Sequence, residues 1–317
     1  MSQRVYRIIV NPASGRGAGA RAKSIIERVL GKAGVAYELT QTSGPGEARQ
    51  LAHEAMLRGY EVIVAVGGDG TAHEIVNGMV QAAQLRGQWA SGEPIGTLGI
   101  VPLGTGNDYA WRLGLPEHNP ELACHTLLAD QRRIVDLGQV VDEEGRVEIF
   151  NNHLGGAFEG ATNIESRKIQ RLHGLLLYLV AVLRVIPRYT KAPLITVRYN
   201  NGEQTRPLLL ASVANGGRSG GGFKMSPGAL LDDGQLDLVL ADSPHPLVTL
   251  YLLPHFLAGT HLSQKRFVSL DRTSHVVIEA AAGIPIHLDG ESFRADARRL
   301  DIAVLPKRLT VIAGSAR

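Results

Sequence analysis

An uninterrupted apolar run, Val62–Val66, passes directly into the glycine-rich segment Gly67–Thr71. Such a run is typical of a strand that is buried on both faces of a parallel sheet. Three of the five residues in the segment are glycines, which lack a Cβ atom and so let backbone N–H groups approach a phosphate closely. The N-terminus of the following helix favours an anion at the same place. The segment therefore predicts an α/β domain with a phosphate site at the carboxyl end of a strand.

Three polar residues of this segment have candidate roles. Asp69 does not attract phosphate by itself, but an acid among such glycines suits Mg²⁺, held directly or through water. The alternative is purely structural: a tight strand-to-helix turn in which Thr71 and Glu74 have the spacing of a capping box. We predict that Gly67, Gly68, Asp69, Gly70 and Thr71 contact a nucleotide and leave both roles open for Glu74.

The surrounding residues alternate short β-branched runs with longer helical patterns. The predicted strands are Val5–Val10, Ala36–Thr40, Val62–Val66 and Thr97–Val101, and the predicted helices include Ala18–Leu30 and Glu47–Arg58. Strand–helix alternation of this kind indicates a parallel sheet with right-handed crossovers.

Three other loops follow predicted strands of the same domain. In Pro102–Asp108, Gly104 and Thr105 are candidate nucleotide contacts, whereas Asn107 or Asp108 is equally suited to capping the next helix. The loop Asn11–Gly17 offers phosphate contacts from Asn11, Ser14 and the amides of Gly15 and Gly17, with Arg16 as a neutralising charge. Thr42 ends the second strand and is either a nucleotide contact or an ordinary turn residue.

The pattern changes after about Gln131. The predicted strands there are Ile134–Val141, Val147–Asn151, Leu194–Tyr199, Pro207–Val213, Leu236–Leu240, Val276–Glu279 and Ile284–Leu288. Helical patterns cover Ile169–Val185 and Leu247–Ala258. We therefore predict a nucleotide-binding α/β domain over residues 1–133 and a mainly antiparallel, β-sandwich-like domain over residues 134–303.

Two turns of the second half carry carboxylates. Asp289-Gly290, before Glu291, is the commonest signal for a β-hairpin, but a carboxylate there could also accept a proton from an attacking hydroxyl. The segment Leu230–Gln235 is either a β-turn or a cation site built from Asp233 and flanking carbonyls.

Composition excludes several classes of protein. The 317 residues are 44% hydrophobic and 20% charged with a net charge of +3, which favours a globular protein and gives no basic groove for nucleic acid. Cys124 is the only cysteine, so neither an internal disulfide nor a thiolate metal cluster is expected. The most apolar stretch, Leu172–Pro187, is interrupted by His173 and Arg184 and falls short of the roughly 20 apolar residues of a spanning helix. We expect a cytoplasmic protein, with peripheral membrane contact as an option.

Taken in order, the motifs resemble the diacylglycerol-kinase catalytic family, in particular its small soluble bacterial lipid kinases. The matching stretches are Asn11–Gly17, Thr42–Ala48, Gly67–Glu74, Pro102–Asp108, Asn215–Gly222, Pro227–Leu238 and Leu288–Glu291. The GGDGT segment is shared with NAD kinases and phosphofructokinases, whereas its combination with the other stretches is more specific.

The resemblance implies two domains with the active site in the cleft between them, and a chain end, residues 304–317, that returns to the first domain. It implies ATP contacts from Thr42, Gly68–Glu74 and Thr105. It also implies that Glu291 accepts the proton, with Asp289 beside it. Mg²⁺ in the second domain would be held by the Leu230 and Gln235 carbonyls and the Asp233 carboxylate.

The expected function is ATP- and Mg²⁺-dependent phosphorylation of a diacylglycerol-like lipid. His73 stands where many lipid kinases of this group carry Asn and sphingosine kinases often carry His, so a sphingoid-base kinase is an alternative. A soluble-substrate kinase of the NAD-kinase kind is another. A dinucleotide-binding oxidoreductase is a third, because Gly15, Gly17 and Ala20 fit G-x-G-x-x-A. Nucleic acid is not an expected partner, and a homodimer is left open.

Overall fold

The computed structural model describes residues 5–169, 172, 174–189, 191–200, 202–242 and 245–314. The chain divides into two compact units. The first contains the residues up to Asp136 together with those from Lys307 onward, and the second contains Leu137–Pro306. The last part of the segment predicted to return to the first domain, residues 315–317, lies outside the described residues.

The first unit is built on a parallel sheet. Its strands are β1 (Val5–Val10), β2 (Ala36–Gln41), β3 (Val62–Gly67) and β4 (Thr97–Pro102). They lie in the order β2-β1-β3-β4, and the end of the last strand of the chain, β13 (Glu291–Ile312), runs parallel to β4 through Thr310 opposite Thr97. Every residue of β3 and β4 is buried, as expected for strands covered on both faces.

The described residues of the first unit form five α-helices: α1 (Ser14–Lys32), α2 (Glu47–Leu57), α3 (Asp69–Leu85), α4 (Asp108–Arg112) and α5 (Pro120–Ala129). The first turn of α1 is irregular because Gly15, Arg16 and Gly17 all have positive φ, so regular helix starts where the sequence predicts it, after Gly17. Helix α5 was not predicted. Its signals were Pro at the start and Asn119 before it, whose side chain accepts the Leu122 N–H at 3.0 Å.

The second unit is mainly antiparallel. Its strands are β5 (Arg132–Asp142), which starts in the first unit, β6 (Val147–Phe150), β7 (His153–Ala157), β8 (Leu194–Tyr199), β9 (Gly202–Ala214), β10 (Leu236–Asp242), β11 (Val268–Thr273), β12 (His275–Leu288) and most of β13. The main order is β11-β10-β9-β7-β12-β13. The two strands predicted over Val276–Leu288 are one strand whose register shifts between Glu279 and Ile284.

Three helices of the second unit are described: α6 (Phe158–Ser166), α7 (Gly174–Val185) and α8 (Pro246–Ala258). Helix α6 and strands β7, β11 and β13 were not predicted. The helix predicted from Ile169 begins instead at Gly174, and its residues 170, 171 and 173 lie outside the described part of the chain. None of the helices in the described ranges combines the length and apolar character needed to cross a membrane.

Candidate active site

Four loops of the first unit meet at one edge of its sheet. Because β1, β2, β3 and β4 are parallel, the segments that follow them all start at the carboxyl edge. Backbone hydrogen bonds join these segments to neighbouring strands: Asn11 N–H donates to Val66 O at 2.9 Å, and Thr42 N–H donates to Val10 O at 2.8 Å. The structure thus brings together the four loops that the sequence singled out.

Glycines allow two of these loops to touch through their backbones. A Cβ atom on Gly104 would lie 2.3 Å from Gly68 Cα, and one on Gly68 would lie 2.9 Å from Gly104 Cα. In the same way, a Cβ on Gly67 would lie 2.3 Å from Thr71 Oγ1, and one on Gly15 would lie 2.0 Å from Leu103 O. Side chains larger than hydrogen are therefore excluded by backbone atoms at Gly15, Gly68 and Gly104 and by the Thr71 side chain at Gly67.

Asp69 and Asn107 hold the two touching loops. The half-buried Asp69 carboxylate accepts the backbone N–H of Tyr109 through Oδ1 at 3.0 Å. Asn107 is buried, and its amide both accepts the Gly104 N–H at 2.8 Å and donates to Gly104 O at 3.0 Å. Asn107 occupies the N-cap position of α4 without a capping side-chain bond, so its side chain shapes the loop instead of capping the helix.

The capping-box alternative for Thr71 and Glu74 is wrong, because α3 starts at Asp69 with Gly68 as N-cap. Thr71 therefore lies inside the helix, where its Oγ1 accepts a hydrogen bond from Asn11 Nδ2 at 3.2 Å. Glu74 Oε1 accepts the N–H of Gly46, in the loop after β2, at 2.9 Å. Both side chains connect α3 to neighbouring loops.

The remaining candidates of the first unit differ in exposure. Thr105 is exposed at the tip of its loop, and Gly70 is half-buried in the first turn of α3. Ser14 is half-buried, and its hydroxyl donates to Asn11 O at 2.9 Å. Thr42 is buried at the end of β2. A small pocket at this edge is lined by Gly67, Gly68, Asp69, Ala72, Ile100, Pro102, Asn107, Tyr109 and Ala110.

In the second unit, Asp289 and Gly290 form the two-residue turn of the β12–β13 hairpin. Their φ angles are 50° and 84°, as in a type I′ turn, and Leu288 pairs with Glu291. The hairpin interpretation is therefore correct, and it places Glu291 at the first position of β13.

The two carboxylates beside this turn have different surroundings. Asp289 is buried, and its carboxylate accepts three backbone N–H groups at 2.9 Å each, from Asn151, Asn152 and His153. Glu291 is about half exposed, with 46% of its side-chain area accessible, and Oε2 lies 2.7 Å from a terminal nitrogen of Arg167. Asp289 is thus committed to backbone groups, whereas Glu291 remains accessible.

Sequence reasoning also missed two residues whose side chains contact the Gly290 carbonyl. Asn163 Nδ2 donates to Gly290 O at 2.7 Å, and Arg167, the C-cap of α6, donates to the same oxygen at 3.0 Å. Asn163 lies in the unpredicted helix α6, and Arg167 directly follows it. Their spacing of four residues places them on one helix face, a signal that is readable only once the helix is recognised.

The predicted cation turn is anchored by an arginine. Asp233 Oδ1 accepts the Gln235 N–H at 3.1 Å, and its Oδ2 lies 3.8 Å from the Arg272 guanidinium. Arg272 also donates to Asp237 Oδ1 at 3.2 Å and to Gly228 O at 3.2 Å. Leu230, the third predicted ligand, has an exposed side chain.

Comparisons with known proteins agree with both units. Residues 5–140 match the family described as diacylglycerol kinase catalytic domain, and residues 155–313 match the YegS C-terminal NAD kinase beta sandwich-like domain. A "Diacylglycerol kinase" of Mycobacterium tuberculosis (strain H37Rv) is 30% identical over 304 residues, covering 96% of this chain and 93% of that protein. A "Probable lipid kinase YegS-like" of Chromohalobacter salexigens is 33% identical over 280 residues, covering 86% and 82%. A crystal structure of a diacylglycerol kinase from Bacillus anthracis str. Sterne superimposes with a TM-score of 0.72 at 21% identity, covering 99% of this chain and 98% of that one, which shows a shared fold.

The glycine-lined sheet edge and these matches together define the class of protein: a kinase, that is, a phosphotransferase. The chain belongs to the diacylglycerol and lipid kinase family, with a catalytic α/β domain followed by a β-sandwich-like domain. This assignment favours the kinase interpretation over the dinucleotide-binding oxidoreductase.

Proposed function

We propose that this chain transfers the γ-phosphate of ATP to a hydroxyl group of a diacylglycerol-like lipid. The observation that carries the proposal is the backbone contact between Gly68 and Gly104 at the carboxyl edge of the first sheet. It leaves two loops without side-chain bulk beside the N-terminus of α3, an arrangement that favours bound phosphate. Thr42, Thr105, Ser14 and the amides of Gly15, Gly67, Gly68 and Gly70 are the proposed contacts around it.

Mg²⁺ is implied by the family, and the donor chemistry fits it at two places. The Asp69 carboxylate is an oxygen donor beside the proposed phosphate site. The Asp233 carboxylate and the carbonyls of Leu230 and Gln235 form a second set of oxygen-only ligands. The Asp233 carboxylate would then contact both Mg²⁺ and the nearby Arg272 guanidinium. Mg²⁺ bound beside Asp69 would offset negative charge on the transferring phosphoryl group.

Glu291 is the proposed proton acceptor. Its carboxylate is accessible, and the Arg167 guanidinium at 2.7 Å fixes its orientation beside the turn. Asp289, by contrast, already accepts three backbone N–H bonds, so we assign it to holding the turn that carries Glu291. This division of roles keeps Glu291 as the proton acceptor, as the resemblance implies, and gives Asp289 a structural role beside it.

Two helices of the second unit support contact with a lipid surface. Helix α7 buries Ala181, Val182 and Val185 but exposes Leu176 and Leu183. Helix α8 buries Leu252 and Phe256 and exposes Leu247, Leu250 and Tyr251. Each helix thus has a core face and an exposed apolar face, and exposed apolar side chains of this kind mark membrane or ligand contacts. Flotation with anionic vesicles, comparing the wild type with a Leu176→Ser, Leu247→Ser double variant, tests this part.

The catalytic proposal is tested with purified protein, labelled ATP and a panel of acceptors. The panel contains diacylglycerol, phosphatidylglycerol, a sphingoid base and NAD. We expect Mg²⁺-dependent labelling of diacylglycerol. Labelling of the sphingoid base would instead favour the alternative raised by His73, and labelling of NAD alone would refute a lipid substrate. His73 is buried, and its backbone carbonyl accepts a hydrogen bond from Asn77 at 2.9 Å.

Glu291→Gln keeps the size of the side chain but removes its basicity. We expect kcat to fall roughly 10²–10⁴-fold, the usual cost of losing a general base. Glu203→Gln is the matched control, because Glu203 is an exposed residue of β9 that pairs only with Arg198 among the interactions described. Wild-type kcat in Glu291→Gln would refute the role of Glu291.

A further inference from the structure

Glu159, in the first turn of α6, lies at the centre of a largely buried polar cluster. Its Oε1 is 2.9 Å from His153 Nε2 and 3.3 Å from His287 Nε2. Ser212 and Ser219 donate to the same carboxylate at 2.5 and 2.8 Å. Burial opposes ionisation, but the charge and hydrogen bond of His153, together with the hydrogen bond of His287, hold the pKa of Glu159 well below its usual range.

A glycine leaves room for this cluster. A Cβ atom on Gly155 would lie 2.2 Å from His287 Nε2 and 2.5 Å from Glu159 Cδ. The histidine rings are close, with centroids 5.8 Å apart. The cluster therefore depends on a specific local backbone and is not an accidental surface grouping.

Both histidines connect the cluster to the turn before Glu291. The Gly290 N–H donates to His287 Nδ1 at 3.4 Å, and the backbone of His153 exchanges hydrogen bonds with Asp289, donating to Oδ1 at 2.9 Å and accepting from its N–H at 2.8 Å. Each residue of the Asp289-Gly290 turn is thus held by a histidine that contacts Glu159.

The hydrogen bond from the Gly290 N–H to Nδ1 determines which ring nitrogen of His287 carries the proton. Because Nδ1 accepts a hydrogen bond, the ring proton of neutral His287 belongs on Nε2, where it faces the Glu159 carboxylate. The Glu159 carboxylate accepts a hydrogen bond from this Nε2–H and so fixes the ring orientation, as carboxylate partners of histidine commonly do.

The side chains of His153, Glu159 and His287 have ligand atoms within 4.8 Å of one another, a spacing that also suits a metal ion. A metal on His287 Nε2 would place the ring proton on Nδ1, opposite the Gly290 N–H. Two N–H groups that face each other cannot form the hydrogen bond seen between Gly290 and His287 Nδ1. The geometry therefore favours the arrangement without metal, in which His287 Nε2–H donates to Glu159.

We propose that Glu159 and His287 are positioning residues: Glu159 fixes the His287 ring so that its Nδ1 holds the Gly290 amide and thereby the turn that presents Glu291. This inference rests on the proposed role of Glu291. Misplacement of a reacting group by a small distance costs up to about 100-fold in rate. Loss of Glu159 or His287 should therefore lower kcat. KM for ATP should stay unchanged, because both residues belong to the second unit and the proposed ATP contacts belong to the first.

Two substitutions of His287 separate positioning from simple packing. In His287→Asn, the amide oxygen lies as many bonds from Cβ as Nδ1 does, so an acceptor for Gly290 is retained. In His287→Gln, the amide group corresponds to Nε2, so the Glu159 contact is retained and the Gly290 acceptor is lost. We expect roughly 10- to 100-fold lower kcat for His287→Gln and for Glu159→Gln, and a change of less than about threefold for His287→Asn.

Amide hydrogen exchange at Gly290 gives a readout that needs no catalysis. We expect the Gly290 amide to be protected in the wild type and in His287→Asn, and to exchange faster in His287→Gln. Thermal unfolding by circular dichroism verifies that each variant folds. Controls are His275→Asn and His275→Gln, at the exposed start of β12, and Glu165→Gln, on α6.

Equal loss of activity in the two His287 variants, or wild-type kcat in Glu159→Gln, would overturn the inference. Stoichiometric zinc in the purified protein by mass spectrometry would also overturn it, in favour of a metal site. A wild-type protein that phosphorylates no acceptor but shows the expected exchange pattern would instead refute the proposed function. The inferred role of Glu159 and His287 in holding the Gly290 amide would remain.

Discussion

The carboxylate of Asp69 and the backbone N–H of Tyr109 are joined by a hydrogen bond of 3.0 Å. This bond connects the first turn of α3 to the first turn of α4, so one residue of the GGDGT segment also fixes the loop that contains Gly104 and Thr105. Asp69 therefore has a structural contact as well as the proposed catalytic one, and the two contributions can be separated by mutation.

Asp69→Ala removes both contributions. We expect kcat to fall at least about 100-fold, as when one electrostatic contact to a transition state is lost. We also expect the free energy of unfolding to fall by about 1–3 kcal/mol, because the Tyr109 N–H loses a charged partner. Asp69→Asn keeps an oxygen acceptor, so stability should recover while activity stays low.

Labelled-ATP assays and urea unfolding measure the two effects. Asp130→Asn is the matched control, since Asp130 pairs with Arg132 elsewhere in the first unit. Full kcat in Asp69→Asn would mean that the negative charge of Asp69 is not used in phosphoryl transfer.

Gly104→Ala tests the backbone contact between the two glycine loops. The new Cβ would lie 2.3 Å from Gly68 Cα, so one of the loops must move. We expect the free energy of unfolding to fall by about 1–3 kcal/mol and ATP binding, measured by calorimetry, to weaken strongly.

The control for this substitution is Gly31→Ala. Gly31 lies in α1, and a Cβ there would meet nothing within 4 Å. Alanine is the better helix former, so this variant should be more stable by about 0.5 kcal/mol and bind ATP normally. Normal ATP affinity in Gly104→Ala would contradict the proposed phosphate site.

The parallel sheet and its loops were largely predictable because local signals agreed there. Continuous apolar runs identify β3 and β4, and the glycines that follow them predict a loop without side-chain bulk at the carboxyl end of each strand. The contacts of Asn107 and Glu74 were not predictable, since the capping residues of a helix and the closing residues of a loop have the same amino-acid types. Only the three-dimensional path of the chain decides between them.

The second unit was less predictable for a physical reason. Strand β7 contains Gly155 and Gly156, which are poor strand formers. Glycine is needed there because a Cβ atom would collide with His287 and Glu159 at Gly155 and with Ala211 O at Gly156. Long-range pairing forms this strand, not local preference. The link from Glu159 to the Asp289 turn was hidden in consequence, because it depends on β7 and α6 together.

Asp289→Ala should be among the most destabilising substitutions at the candidate site. It leaves three backbone N–H groups, of Asn151, Asn152 and His153, without their carboxylate acceptor in a buried region. We expect the free energy of unfolding to fall by about 3–5 kcal/mol, measured by urea titration. Asp296→Ala, at an exposed position of β13, should change it by less than about 0.5 kcal/mol. Similar stability of the two variants would rule out an anchoring role for Asp289.

His261 predicts how stability depends on pH. It is buried, stacks on Phe256 with centroids 4.1 Å apart, and places Nε2 3.0 Å from Met225 O. Burial lowers the pKa of His261 to about 4. As pH falls from about 6.5 towards 4, the unfolded chain therefore takes up a proton that the native protein does not, and this contribution to stability is lost.

In His261→Gln, whose amide can still donate to Met225 O, the decrease in unfolding free energy between about pH 7 and pH 5 should be smaller by about 1–2 kcal/mol. His125→Gln, on the exposed side of α5, should keep the wild-type decrease, and an unchanged decrease in His261→Gln would show that the native state also binds this proton.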